Sequence, residues 1–462
     1  MTVKALMPVR MNLVVPLPHE GTAMRSTETA AVPQARSGAV TPLIGSGLRC
    51  GDVDSTNTRS TATPTPTSRT STTATRTTTT RTTRSSCEPS ADPSVAFPFR
   101  ALVDAYVDCR RHKRSSASAQ AFEAHLERNL LELHQRLNDR SYRPGRSICF
   151  VVTRPKPREI WAADFADRVV HHLLYQHVAP GFLAAFTADS CACIPGRGTL
   201  YAAQRLEHQV RSITQNWGRP AHYLKCDIAN FFVSIDKTIL RGLLHARIHE
   251  PAWRWLADVI LMHDPRDNVQ VRGRPADLAL VPPHKSLFNA PAHCGLPIGN
   301  LSSQFFANVY LDTLDQFVKH RLRVPRYVRY VDDFVLLHES PQVLNGWREA
   351  IAAFLPARLG IELNPRKTVL QPAARGIDFV GHVIRPWRRV TRPKIVAVAR
   401  QRVASMPAED VLAAANSYLG LLGQATRGHV DRARIANVVR RRGHSVRADF
   451  GKAYRAAIPR PP

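Results

Sequence analysis

From residue 100 onward, apolar residues return every three or four positions over 100–138, 163–180 and 300–321. That spacing turns one face of a helix toward a core. Between the first two, Arg146 to Trp161 alternates and carries Pro155 and Pro157, which predicts extended strands around a turn. Residues 221–235 read as a strand running into a helix or turn, 326–337 as two short strands flanking a polar tip, and 376–385 as another short hairpin. From about 393 the pattern is helical with basic faces. Helices and strands mix without regular alternation, and no internal repeat is visible. The expected class is therefore α+β rather than a doubly wound parallel sheet.

Composition changes this picture at the N-terminus. Ser55 to Ser86 is mostly Thr, Ser and Arg, with few large apolar residues to offset the entropy of ordering. Residues 1–92 are expected to be a disordered tail. It reads as an unconstrained extension or an early start codon; its functional reading would be a weak RNA-binding arm. Lys and Arg total 64 against 36 Asp and Glu, a formal charge of +28. The first 90 residues hold 10 Lys/Arg and 5 Asp/Glu, so the ordered part carries most of the excess. A surplus of this size favours a polyanionic partner, because neutralising phosphates releases counterions. Charge alone does not separate RNA, DNA and an anionic membrane. No stretch approaches the roughly 18 apolar residues of a membrane span, and the short run Met11 to Leu17, broken by proline, is a poor secretory core. The eight cysteines contain no C-x-x-C pair, so neither a zinc site nor a disulfide scaffold is expected. A reducing cytoplasm is the expected location.

The chemistry lies in two acidic clusters. Asp332 and Asp333 sit inside the apolar run R-Y-V-R-Y-V-D-D-F-V-L-L at 326–337. On a strand they would point to opposite faces. Their repulsion and desolvation cost several kcal/mol unless a cation or hydrogen-bond donors compensate. An isolated Asp-Asp pair is usually only a turn. The second cluster, Y-L-K-C-D-I-A-N-F-F-V-S-I-D at 223–236, ends an apolar strand at Asp227; alone, such an Asp is usually a cap or turn former. Three carboxylates on neighbouring strand ends would suit a pair of Mg²⁺ ions about 3.5–4 Å apart.

Y-V-D-D at 330–333 resembles the Y-x-D-D box of reverse transcriptases, and six further motifs extend the resemblance. K-C-D-I-A-N-F-F (225–232) resembles the palm motif with the first metal ligand. G-L-P-I-G-N-L-S-S-Q (295–304) resembles the segment that supports nucleotide and template. L-N-P-R-K-T (363–368) resembles the motif with a basic residue near pyrophosphate, and G-I-D-F-V-G-H (376–382) the primer grip. R-P-K-P-R-E-I (154–160) and A-C-I-P-G-R-G-T (192–199) resemble fingers motifs of bacterial members. All occur in family order and cover roughly 145 to 390.

The resemblance implies a right-hand polymerase fold. Residues 93–220 would form N-terminal helices and fingers, 221–386 a palm of antiparallel sheet packed on helices, and 387–462 a helical thumb and basic tail. It implies RNA-directed DNA synthesis from dNTPs on an RNA template with a cDNA primer, using two Mg²⁺ ions for which Mn²⁺ can substitute. Asp227 and Asp332 would be direct ligands, with Asp333 assisting and the Ile228 carbonyl adding a donor. Lys367, or Arg366 beside it, would protonate pyrophosphate. Phe232 would be the steric gate against a ribose 2′-OH, and Phe231 a core residue. Lys156 and Arg158 would clamp the triphosphate, with ordinary exposed charge as the bland reading. Ile298, Gly299 and Gln304 would line the nucleotide site. Tyr330, Gly381 and Tyr418 would contact primer or template.

One departure narrows the resemblance. Most of the family carries Q-G-x-x-x-S-P where this chain has I-G-N-L-S-S-Q, with Ile298 for Gln and Gln304 for Pro. An aliphatic side chain cannot make the hydrogen bond an amide would, which weakens discrimination between base pairs. This form, with P-H-K-S-L-F at 283–288, resembles the enzymes of diversity-generating retroelements. Those copy adenines with errors and work with a small basic accessory protein. Group II intron enzymes usually add a maturase region. Retron enzymes carry V-T-G where this chain has Val390, Thr391 and Arg392. Defence-associated reverse transcriptases share similar palm motifs and compete with the retroelement reading. A polymerase fold kept as a non-catalytic binding module competes with every enzymatic one.

Overall fold

The computed structural model describes residues 95–111, 116–153 and 156–455. The tail read as disordered lies outside the described residues, as do Arg154 and Pro155 of the first fingers motif.

The helical spacing over 100–138 resolves into α1 (Phe99–Arg110), α2 (Ala117–Glu123) and α3 (Leu126–Asn138). Each presents one apolar stripe, as with Leu130, Leu133 and Leu137 of α3. β1 (Ser147–Val152) and β2 (Arg158–Ala163) pair antiparallel, Ser147 opposite Ala163 and Val152 opposite Arg158. They form the strand pair expected around the two prolines. α4 (Phe165–Ala185) buries residues on nearly every face, including Val169, Val170, Leu173 and Leu174, so it runs through the core. α5 (Thr199–Ile213) leads to β3 (His222–Asp227), the one-turn α6 (Phe231–Ser234), α7 (Lys237–His245) and α8 (Pro251–Met262). β4 (Val269–Arg272), short and largely exposed, joins β1 in parallel, a pairing its pattern did not announce. α9 (Pro275–Ala279) precedes the long loop before α10 (Leu301–Gln316).

The central sheet is built next. β5 (Tyr327–Tyr330), β6 (Asp333–His338) and, beyond α11 (Pro341–Leu359), β7 (Val369–Pro372) combine with β3 in the order β5-β6-β3-β7, every neighbouring pair antiparallel. Side chains on a strand alternate faces, and here both faces are covered. Leu224, Cys226, Phe334 and Leu336 enter the main core with α4, α10 and α11. Tyr223, Val335 and Leu337 enter a second core with α5. Burial on both sides explains why β6 reads as a continuous apolar run.

β8 (Ile377–Phe379), β9 (His382–Arg385) and β10 (Arg388–Thr391) form a small antiparallel sheet against that second core. α12 (Pro393–Ser405), α13 (Ala408–Leu422) and α14 (His429–Arg441) close around their own core of Val403, Val411, Leu419 and Val439. A short hairpin of β11 (His444–Val446) and β12 (Ala453–Arg455) follows, where helix was expected. Gly443, at φ 78, ends the helix, and Asn416 holds the hairpin by bonding both N and O of Ala453. Arg389 joins this unit to the sheet. Its guanidinium donates to the Gln424 carbonyl at 3.0 and 2.7 Å and pairs with Glu207 of α5. No described helix is long and apolar enough to cross a membrane.

Candidate active site

The register of the central sheet sets Asp227, the last residue of β3, opposite Asp333, the first of β6. Tyr330 also pairs with Asp333, so Val331 and Asp332 form a two-residue turn between β5 and β6. Ile228 N donates to Asp332 O at 3.3 Å, which carries the contact around the turn. The two acidic clusters therefore meet at one end of the sheet, on three adjacent strand ends.

Val331 takes φ +55°. A two-residue hairpin turn with a left-handed first residue ordinarily uses glycine, and for a β-branched residue that conformation is strained. A buried network holds it. Arg329 is 1% exposed and donates to Asp315 through Nε at 2.7 Å and Nη2 at 2.6 Å. Its Nη1 donates to Val331 O at 3.2 Å and Asn308 Oδ1 at 3.3 Å, and its Nη2 also reaches Ser190 Oγ at 2.8 Å. Tyr327 Oη donates to the same Asp315 carboxylate at 2.7 Å. Beneath this, Arg329 N donates to Asp189 O at 2.9 Å, and the Asp189 carboxylate is met by Arg205 at 2.5 Å and Lys319 at 2.9 Å. Sequence reasoning passed over Arg329 and Asp315. The signal that could have found them was an arginine inside an apolar β run, which demands a buried acid partner.

The electrostatics follow from crowding. Burial, then Asp333 and Asp227, push the Asp332 carboxyl up to about 6. Burial also raises Asp333, opposed chiefly by Lys225, whose Nζ lies 3.8 Å from it. Asp227, 4% exposed, is bracketed by Lys367 Nζ at 2.6 and 2.7 Å and by Asn364 Nδ2 at 3.1 Å. Lys367 reaches it because the chain after α11 returns beside β3. Ala229 N donates to Glu362 O at 2.9 Å and Asn364 N to Asp227 O at 2.7 Å. Those two bonds make the Ile228–Leu363 bridge and leave the Ile228 carbonyl outside it. Arg366 is exposed and touches Asn364 through its backbone N, so Lys367 is the one of the two that contacts Asp227.

The other predicted residues fall into three settings. Phe231 is buried in the main core, while Phe232 is half-buried beside it, ring centroids 5.3 Å apart. Leu296 N donates to Phe232 O at 2.8 Å, tying that turn to the loop of Ile298 and Gly299. That loop is pinned in turn to β2: Trp161 N donates to Ile298 O at 2.7 Å and Ala163 N to Asn300 Oδ1 at 3.1 Å. Gly299 has φ +135°, and a Cβ there would lie 2.7 Å from Trp161 O, so only glycine permits the approach. Gln304 is half-buried in the first turn of α10. Lys156 and Arg158 are exposed at the β1–β2 turn. Tyr330 packs against the second core. Gly381 forms the β8–β9 turn with Val380, both at positive φ, and Lys225 Nζ donates to Asp378 O at 3.1 Å in the same hairpin. Tyr418 is the exception in placement. It lies on α13, packs against the C-terminal helical core and accepts a hydrogen bond from Arg402 at 3.1 Å, so it is not gathered with the carboxylates.

Comparison with known proteins agrees with this geometry. Residues 154–384 match the family "Reverse transcriptase (RNA-dependent DNA polymerase)". The group II intron-encoded protein LtrA of Lactococcus lactis subsp. cremoris is 21% identical over 330 residues, 57% of this chain and 51% of LtrA. The LtrA of strain MG1363 aligns equally. The chain thus spans about half the length of the curated relatives it matches. Among solved structures, the telomerase of Candida albicans in complex with a TWJ fragment of telomeric RNA aligns with TM-score 0.39 and 13% identity. That alignment covers 64% of this chain and 56% of the telomerase chain, too loose an overlap to carry an argument.

Proposed function

This chain belongs to the reverse transcriptase (RNA-dependent DNA polymerase) family, and from that premise we propose that it copies an RNA template into DNA at Asp227, Asp332 and Asp333. The observation that carries the reading is the Asp227–Asp333 register with Asp332 on the adjoining turn. The family generally uses divalent metal ions, and the residues present fit one: hard oxygen donors crowded until Asp332 resists ionising. Asp227, Asp332, Asp333 and the Ile228 carbonyl would hold two Mg²⁺ ions, with Mn²⁺ able to substitute, whose charge activates the primer hydroxyl and stabilises leaving pyrophosphate.

The chain's own groups complete the assignment. Within the right-hand polymerase fold, 93–220 serve as N-terminal helices and fingers, 221–386 as palm and 387–462 as thumb and basic tail. The Phe232 ring excludes a ribose 2′-OH. Lys367 is the proton donor to pyrophosphate, supported by its direct reach to Asp227. Lys156 and Arg158 clamp the triphosphate from the turn leading into β2, the strand that is hydrogen-bonded to the Ile298 loop. Gly299 and Gln304 complete the nucleotide site, and Tyr330, Gly381 and Tyr418 bear on primer and template.

Primer extension on RNA with dNTPs should depend on Mg²⁺ and fall at least a thousandfold in Asp332→Ala, a loss of about 4 kcal/mol of transition-state stabilisation. A folded Asp332→Ala protein that still extends primers would overturn the reading. The finer assignment is the adenine-mutagenic enzyme of a diversity-generating retroelement, acting with a small basic accessory protein. The aliphatic Ile298 supports it, since its backbone is held and only the side chain departs from the common amide. Sequenced products should carry errors concentrated opposite template adenines, reduced roughly tenfold by Ile298→Gln, as one restored polar contact allows. Accurate copying of adenines with the native RNA and accessory protein would instead favour a defence-associated, retron-like or group II intron-like enzyme.

A further inference from the structure

We propose that Asp236, His293 and Cys294 form a second metal site, distinct from the three-carboxylate cluster, that takes a borderline ion such as Zn²⁺ through one oxygen, one nitrogen and one sulfur. The ligand atoms of the three residues lie within 4.8 Å of one another. Asp236 caps α7, its Oδ1 accepting from Thr238 N at 2.7 Å and Ile239 N at 3.0 Å, which fixes the carboxylate's orientation. Across from it, Asp236 and Cys294 form an antiparallel bridge flanked by Lys237 N to His293 O at 2.9 Å and Gly295 N to Ile235 O at 2.8 Å. Gly295 turns the chain behind Cys294 at φ +96°, where a Cβ would strike Leu287.

The donor set selects the ion. A thiolate and an imidazole beside one carboxylate suit zinc and disfavour Mg²⁺, the reverse of the all-oxygen cluster. Zinc bonds of about 2.0–2.3 Å place tetrahedral ligand atoms roughly 3.3–3.8 Å apart, so the triad, already within 4.8 Å, has at most a short distance to close. Exposed His293 has the freedom to supply that movement, whereas Asp236 and Cys294 are half-buried. The fourth position remains for water or a further ligand. No C-x-x-C marks the site, because its donors come from two segments brought together by the fold. Leu296 N bonds Phe232 O within the same strap, so an ion here would stiffen the backbone that links Phe232 to the Ile298 loop.

The test uses the full chain carrying Asp332→Ala, which weakens competing binding at the carboxylate cluster, stripped by chelator and titrated with Co²⁺. One Co²⁺ per chain should give a thiolate-to-cobalt charge-transfer band, displaced by one equivalent of Zn²⁺, and Zn²⁺ should raise the melting temperature by several degrees. Cys294→Ser should abolish the band. His293→Ala, at an exposed position that does not threaten folding, should weaken cobalt binding at least tenfold. Absence of the band at stoichiometric Co²⁺, its survival in Cys294→Ser, or unchanged affinity in His293→Ala would overturn the site. Primer extension by the parent chain is measured separately, so failure here leaves the polymerase reading untouched.

Discussion

Asp332 is held against its own charge. Its carboxyl is pushed up to about 6 from an ordinary 3.8, first by burial and then by Asp333 and Asp227. Between about pH 4 and 6 the ion-free native protein keeps a proton that the unfolded chain releases. That contribution to stability is complete below the unfolded value and is lost as pH rises through the folded one. Thermal melts in chelator should therefore show falling stability across this window, and Asp332→Asn should flatten the dependence. A bound cation needs the ionised form, so its affinity should drop about tenfold per pH unit below 6, readable by titration calorimetry. A pH-independent affinity down to 4 would contradict the assignment of Asp332 as a ligand. That Asp227 lies beside Asp332 and Asp333 was legible through the ordered family motifs, since an Asp-Asp pair alone is usually only a turn; the register and the turn supply the geometry. The sequence left Lys367 and Arg366 as alternatives, and only the fold shows that Lys367 is the one whose side chain reaches Asp227.

At the scale of elements, the β5–β6 turn is strained at one residue and clamped by another. Asp315→Ala would leave Arg329 buried and uncompensated, a loss of about 3–5 kcal/mol, visible as a steep fall in melting temperature or as insoluble protein. Val331→Gly should cost far less. Relief of a β-branched residue in the left-handed region returns roughly 1–2 kcal/mol, while glycine's unfolded entropy costs about 0.4–1 and the lost packing of the half-buried side chain against the main core costs about 1. The terms nearly cancel, so denaturant melts should shift by less than about 1 kcal/mol; a loss as large as that of Asp315→Ala would show that the turn is not strained at Val331. Most elements could be read from periodicity because their burial is one-sided or continuous, as in α3 and β6. β4 could not, since only four residues long and with three of them exposed it leaves too short a pattern to read. β11 and β12 escaped for the same reason: Ala453 is the buried residue among them.

For the whole molecule, the decisive joint is Arg389. Its guanidinium ties β10 to the end of α13 and to α5, while Thr426 exchanges hydrogen bonds with the Arg389 backbone at 2.9 and 3.1 Å. Long-range pairings of this kind are invisible to local pattern, because Glu207 and Arg389 are ordinary charges until the fold brings them together. Removing the guanidinium in Arg389→Ala should uncouple the C-terminal helices, which have their own core. Calorimetry should then show two transitions in place of one, and primer extension should yield shorter products at unchanged single-nucleotide incorporation. A single transition with full-length products would mean the joint is not needed.

The anchoring of Ile298 by its carbonyl, next to a glycine that admits no substitute, has an evolutionary corollary. The main chain there is frozen and the side chain alone is at liberty. On the proposed reading, a lineage can trade faithful for sloppy replication by altering one codon, while the backbone bond that seats the loop stays in place.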